Sequence, residues 1–203
     1  MTRVLFVFLD GVGLGPPGAA NPLSMTPLPA FATLAGGHAW TADAPPRSEP
    51  DHVFRPLDAT LGVEGLPQSG TGQATLFTGV NCARVVGRHF GPFPHSATHP
   101  ILARENVFRK IRQANGKAPV AFANAYPPRF FEHVRRRRRW TVTTRCCVEA
   151  DVPIRGLDEL RAGRALTADL TGHGWAPLGH DVPPIDEAEA GRRLVALARA
   201  QVG

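Results

Sequence analysis

VLFVFLDG, residues 4–11, is the stretch on which the fold reading turns. Six apolar residues stand in a row, β-branched and aromatic among them, with no polar alternation. Such a run predicts a strand buried on both faces, the signature of a parallel sheet flanked by helices. It ends in Asp10-Gly11, and glycine and proline crowd the chain from there to Pro22. A loop at the carboxyl end of a parallel strand is where open α/β sheets keep their chemistry.

Working outward, residues 26–60 are rich in proline and alanine, with a short helix predicted over 29–35. LPQSGTGQATLFTGV (66–80) predicts a turn opening a helix near Gly70, and residues 84–100 are irregular, with much His, Pro and Gly. RENVFRKIRQA (104–114) repeats Val107, Ile111 and Ala114 at helical spacing, and Asn115-Gly116 stops that helix. Residues 119–123 predict another buried strand, and 157–162 a short helix with Asp158 and Glu159 in its first turn. Asp186 and Glu189 form a capping-box-like pair opening a helix over 187–201, with Leu194, Val195 and Leu197 on its apolar side. The order predicts an α/β protein. That last helix has the caps of a crossover that should feed a further parallel strand, so the domain reads as incomplete.

Composition bounds the function. The 203 residues are 43% hydrophobic and 20% charged, which excludes wholesale disorder. The net charge of +6 falls to +1 once five consecutive arginines are set aside (6 − 5 = 1): Arg135, Arg136, Arg137, Arg138 and Arg139. The pI near 10.2 is therefore a local property. Three cysteines, Cys82 and the adjacent Cys146 and Cys147, make neither a disulfide framework nor a zinc module. No apolar run approaches the ~20 residues of a membrane span and no signal peptide is present, so a cytoplasmic location without membrane partners is expected.

Two places carry candidate chemistry. Asp10 ends the predicted strand and faces the ligand crevice; the equal alternative is a carboxylate closing its own turn. Ser69, in Gln68-Ser69-Gly70-Thr71-Gly72-Gln73, falls at a helix start between small residues and is either a nucleophile or an ordinary N-cap. Magnitudes constrain the first option. A helix terminus supplies about 0.3–1 kcal/mol, whereas a bound Zn²⁺ that brings water's pKa from 15.7 to about 7 contributes ~12 kcal/mol. A nucleophilic Ser69 therefore needs a metal or a base, and Asp10 is a metal-type ligand.

VFLDGVGLG (7–15) together with LPQSGTGQATLFTG (66–79) resembles the metalloenzyme branch of the alkaline phosphatase superfamily, which includes cofactor-independent phosphoglycerate mutase and phosphopentomutase. The mutases' NSEVGH segment lays its Ser on Ser69, its Gly on Gly72 and its His on Gln73. The LPQS-x-TGQ-x-x-LFTG pattern is also similar to uncharacterised bacterial metalloenzyme-domain proteins, as are HFGPFPH (89–95) and FANAYPPRFF (122–131). The resemblance covers most of the chain outside 135–150. It implies a parallel-sheet, alkaline-phosphatase-like core spanning 1–203 as the N-terminal portion of such a domain. It makes Asp10 and Ser69 ligands of one metal of a two-ion site (Zn, Mn or Mg), with Ser69 the phosphoryl acceptor and Thr71 its competitor. The implied activity is that of a metal-dependent phosphoryl-transfer hydrolase or mutase-like enzyme acting on a phosphate or sulfate ester.

The family's late Asp-His-Gly-Asn segment is missing here, and Asp169-x-x-Gly-His173 stands before the last helix as a chance match of loop type. At most one partial metal site is then expected, in a weakly active or inactive fragment. Arg88 and His89 are the candidate substrate contacts, with solvation at the surface the equal alternative for Arg88. His95 and His99 share that Pro-rich loop, where contacts to substrate or loop backbone are favoured over metal ligation. Gly13-x-Gly15-x-x-Gly18 is rejected as a dinucleotide fingerprint because no helix follows it. The different-class alternative is a non-catalytic binding module that engages an anionic partner through the 135–139 arginines. Nucleic acid is not the expected partner, since the run lacks interleaved aromatics. Residues 135–150 change character abruptly, as compensating frameshifts in a gene would produce.

Overall fold

The apolar run 4–9 does not enter a sheet. In the computed structural model, which describes residues 4–114 and 119–200, the run is irregular and its side chains are exposed, from 38% at Phe8 to 79% at Val4. The described residues are 43% helix and 4% strand, and the one sheet described is a two-stranded antiparallel hairpin. The expected α/β architecture with an alkaline-phosphatase-like parallel core is therefore corrected to a mainly helical one. Apolar character licenses burial but does not supply the two neighbouring strands that would accept the backbone.

Residues Phe6–Ala59 form one compact unit. It holds α1 (Pro22–Met25), α2 (Pro29–Leu34) and a hairpin of β1 (Arg47–Ser48) and β2 (Val53–Phe54). Asn21 caps α1 by accepting from Leu23 N–H at 3.0 Å, and proline stands at the first position of both helices, where its missing donor costs nothing. The hairpin pairs Arg47 with Phe54 and Ser48 with Val53. Trp40 organises the interior, donating Nε1–H to Phe31 O at 2.7 Å and packing edge-on against the Phe31 ring at 4.5 Å.

The second unit comprises the residues from Thr60 onward, with Val4 and Leu5. Its helices are α3 (Ser69–Thr78), α4 (Cys82–Val86), α5 (His99–Glu105), α6 (Val107–Ala114), α7 (Pro128–Arg137), α8 (Val142–Glu149), α9 (Leu157–Arg161) and α10 (Glu187–Ala200). The centre of this unit is Ala74 and Phe77 of α3, Cys82 of α4, Leu102 of α5, and Val142 and Cys146 of α8. Phe108 of α6 closes it with an edge-on contact to Phe77 at 5.6 Å.

The predicted 104–114 helix is broken at Asn106. That buried side chain donates to Leu102 O at 2.6 Å and accepts from Arg109 N–H at 3.0 Å, ending α5 and opening α6. The expected stop at Asn115-Gly116 and the last predicted helical residue, Gln201, lie outside the described residues. In α10, Ala190 and Leu197 are buried and Leu194 half-buried at i, i+4, i+7 spacing, while Val195 points outward at 45% exposure. Asp186 Oδ1 accepts from Glu189 N–H at 2.6 Å, but the Glu189 carboxylate turns to Arg192 and Arg193 instead of completing the box.

The second predicted strand, 119–123, is also corrected. Pairing is limited to single parallel bridges, Asn124 with Leu166 and Ala125 with Arg155. Ala125 N–H donates to Leu166 O at 2.7 Å, Leu166 N–H to Ala123 O at 2.9 Å and Tyr126 N–H to Arg155 O at 2.9 Å. Residues 123–126 are thus the middle chain of a three-chain parallel junction. Pro127 and Pro128 follow at once and Pro153 interrupts the neighbour, and proline cannot donate to a ladder, so the junction does not lengthen into a sheet.

Candidate functional site

Ser69 is the first residue of α3, after the extended Gln68. The helix starts one residue before the predicted Gly70. Close backbone packing fixes this start, because a Cβ on Gly70 would stand 2.2 Å from Phe93 O and 2.5 Å from Phe90 O. Residues 89–93 thus lie directly on the first turn of α3, and glycine is the residue that admits them. Ser69 is half-buried at the rim of this contact.

Thr71 separates from Ser69 in role. It is fully buried, its N–H donates to Phe90 O at 2.9 Å, and its Oγ1 accepts from Phe90 N–H at 3.2 Å. A hydroxyl so enclosed is a structural tie with no path to substrate. Of the two hydroxyls that the resemblance brings forward, with Ser69 favoured, Thr71 is buried and Ser69 is half-buried.

Arg88 and His89 enter the same neighbourhood through the 89–93 loop. The Arg88 guanidinium stands 5.9 Å from the Phe90 ring centroid, and the side chain is exposed. His89 is half-buried, with Nε2 3.1 Å from Val63 O. Its Nδ1 is buried with no hydrogen-bond partner among the described residues. His95 caps the following turn, its Nδ1 accepting from Ala97 N–H at 3.2 Å, so it serves loop backbone.

Asp10 belongs to the other compact unit, is exposed, and accepts from Gly11 N–H at 2.9 Å, with Gly11 at φ +75°. This bond joins adjacent residues at a turn. Among the described residues, no group of three or more His, Cys, Asp or Glu side chains converges in a way that could hold a metal ion. Asp169 is committed elsewhere. Its two oxygens accept from Gly172 N–H at 3.1 Å and Gly174 N–H at 2.8 Å, folding the Asp169-x-x-Gly-His173 segment into a carboxylate-closed loop. Burial pushes this carboxyl up, but the hydrogen bonds prevail and hold it below the usual range.

The arginine run continues α7. Arg135, Arg136 and Arg137 fill its last turn, where cations complement the helix C-terminus, and Arg138 ends it at φ +50° with its N–H on Val134 O at 2.7 Å. Arg139 sits 3.9 Å from the Phe93 ring centroid. All five arginines are exposed. Residues 142–149, in the stretch read as scrambled, form α8, whose Val142, Thr144, Cys146 and Cys147 are buried.

Sequence reading missed one surface. One side of α7 and the two residues before it border an open cleft of about 710 Å³, lined by Tyr126, Pro127, Arg129, Phe130, Glu132, His133 and Arg136. The available signal was Arg129, His133 and Arg136 at i, i+4, i+7 spacing behind an aromatic cluster.

No protein-family model matches the chain, and no curated protein or solved structure does either. Among the described residues, no helix is long and apolar enough to cross a membrane.

Proposed function

We propose that this chain carries the nucleophile-bearing part of a metal-dependent phosphoryl-transfer hydrolase or mutase-like enzyme, acting on a phosphate or sulfate ester in the cytoplasm, and that it is weakly active or inactive as it stands. The supporting observation is the half-buried Ser69 at the head of α3, close to the stretch that bears Arg88 and His89, with Thr71 withdrawn into the core. The low activity follows from the electrostatics. The α3 terminus contributes about 0.3–1 kcal/mol, far from the ~12 kcal/mol by which a metal activates an oxygen nucleophile.

Incubation with acetyl phosphate and Mn²⁺ or Zn²⁺, followed by intact-mass and peptide mass spectrometry, tests the nucleophile independently of turnover. A phosphoryl group should appear on Ser69 and vanish in Ser69→Ala. Labelling on another hydroxyl, or equal labelling in Ser69→Ala, removes the proposal. With para-nitrophenyl phosphate, turnover should stay close to the blank.

A second reading, a non-catalytic module that engages an anionic partner, is favoured by the exposure of all five arginines from 135 to 139. Salt-dependent retention on an anionic resin that is lost in the Arg137→Ala/Arg138→Ala variant is its expected signature.

A further inference from the structure

We propose that the α7 cleft is a binding site for a nucleoside phosphate. The inference extends the anion-binding reading but stands on a different set of groups, sharing only Arg136 with the arginine run.

Three chemistries meet in this one cleft. Tyr126 and Phe130 form an aromatic wall, their rings stacked at 4.1 Å and 29°, with Phe122 continuing the stack behind Tyr126 at 6.3 Å. Trp140 braces Phe130 edge-on at 6.2 Å. The wall is anchored from below, because Tyr126 N–H is bonded to Arg155 O in the three-chain junction. With Tyr126 taken up between Phe122 and Phe130, Phe130 is the ring left to meet a flat heterocycle, and such contacts are indifferent to which base is presented.

The cations come next. Arg129, His133 and Arg136 share one face of α7, and seven residues of helix separate the two arginines by about 10 Å of rise, which two extended side chains can span. Both arginines are exposed, and neither has a carboxylate partner among the described residues. Arg145 and Arg193 of the same unit, by contrast, are held by carboxylates, Glu149 at 3.0 Å and Glu189 at 2.8 Å. Two un-neutralised guanidinium groups flanking a cleft are a fork for phosphate oxygens.

The third component is Glu132, the one carboxylate in the lining. A site built for a bare anion gains nothing from it. A ribose diol, however, needs an acceptor for its hydroxyl protons, and Glu132 stands on the helix between Arg129 and Arg136. Ring, diol acceptor and phosphate fork in one cleft specify a ligand that carries all three, and a cleft of about 710 Å³ falls in the size range of small-ligand sites.

Calorimetric titration of the full chain with ADP, adenosine, inorganic phosphate and oligo(dT) at physiological salt tests this. ADP should bind saturably at one site, at about millimolar or tighter, with adenosine and phosphate each roughly tenfold weaker or more. Arg129→Ala/Arg136→Ala should weaken ADP by roughly tenfold or more, with unchanged circular dichroism because both side chains are exposed. Glu132→Gln should narrow the margin of ADP over phosphate. Arg137→Ala/Arg138→Ala should bind ADP as the parent does, so a loss in that variant would assign the binding to the arginine run instead. Absence of saturable ADP binding, an unaffected Arg129/Arg136 variant, or tight oligo(dT) binding that ADP cannot displace would each overturn the site.

Discussion

Thr71 and Phe90 hold each other by two backbone-directed hydrogen bonds, Thr71 N–H to Phe90 O at 2.9 Å and Phe90 N–H to Thr71 Oγ1 at 3.2 Å. The first turn of α3 and a loop 19 residues away are thereby tied together, with Thr71 buried and Phe90 half-buried. Thr71→Val keeps the shape and removes the hydroxyl, leaving Phe90 N–H without its acceptor. The expected loss is about 1–3 kcal/mol in urea unfolding, with Thr71→Ser close to the parent. A Thr71→Val midpoint equal to the parent's would show that the tie contributes nothing.

Two glycines of α3 should respond in opposite directions. Gly70→Ala drives a methyl into the Phe90 and Phe93 carbonyls, and backbone must move. The expected cost is about 1–3 kcal/mol. Gly72→Ala meets nothing within 4 Å and lies inside the helix, so it should stabilise by roughly 0.5–1 kcal/mol. The same sign for both variants in thermal melts would refute the close packing at Gly70.

The Asp169 loop predicts an acid-side stability loss. The folded-state carboxyl is held below its ordinary 3.8, so its contribution is fully present above that value and is lost as pH falls through the lower folded-state value. Asp169→Asn should flatten that part of the pH dependence of the urea midpoint. An unchanged acid profile in the variant would remove Asp169 from the account.

Burial pushes the Cys146 and Cys147 thiols up to about 12, and Cys82 is raised by the same cause. Thiolate is the reactive form. A thiol-specific disulfide reagent at pH 8 should therefore leave all three cysteines untouched in the native chain and titrate three in urea. Rapid native labelling at any of the three would mean that α4 or α8 is not packed as described.

The sequence made helix starts legible where a named side chain or ring sets them. Pro29, the Ser69 segment and Asp186 each open a helix within a residue of expectation. The loop character of the Asp169 segment was also readable. Residues 4–9 misled because an apolar run states what water rejects and not which partner accepts it. The stretch over α8 misled in the opposite sense. Val, Thr and Cys are weak helix formers with little hydrophobic contrast, so the helix shows no period, and the core that buries Val142 and Cys146 is what holds it. Within the candidate site, the pairing of the 89–93 loop with α3 depended on the missing side chain of Gly70, a contact visible only in three dimensions.

The three-chain junction at residues 123–126 carries no strand of its own, yet the amides of Ala125, Tyr126 and Leu166 each have a carbonyl from another segment as acceptor. Their hydrogens should exchange with solvent as slowly as those inside a sheet, while amides of the irregular chain around them exchange fast. Because Tyr126 belongs to both the junction and the aromatic wall, the lifetime of that one amide proton is a clock for how often the floor of the cleft comes undone.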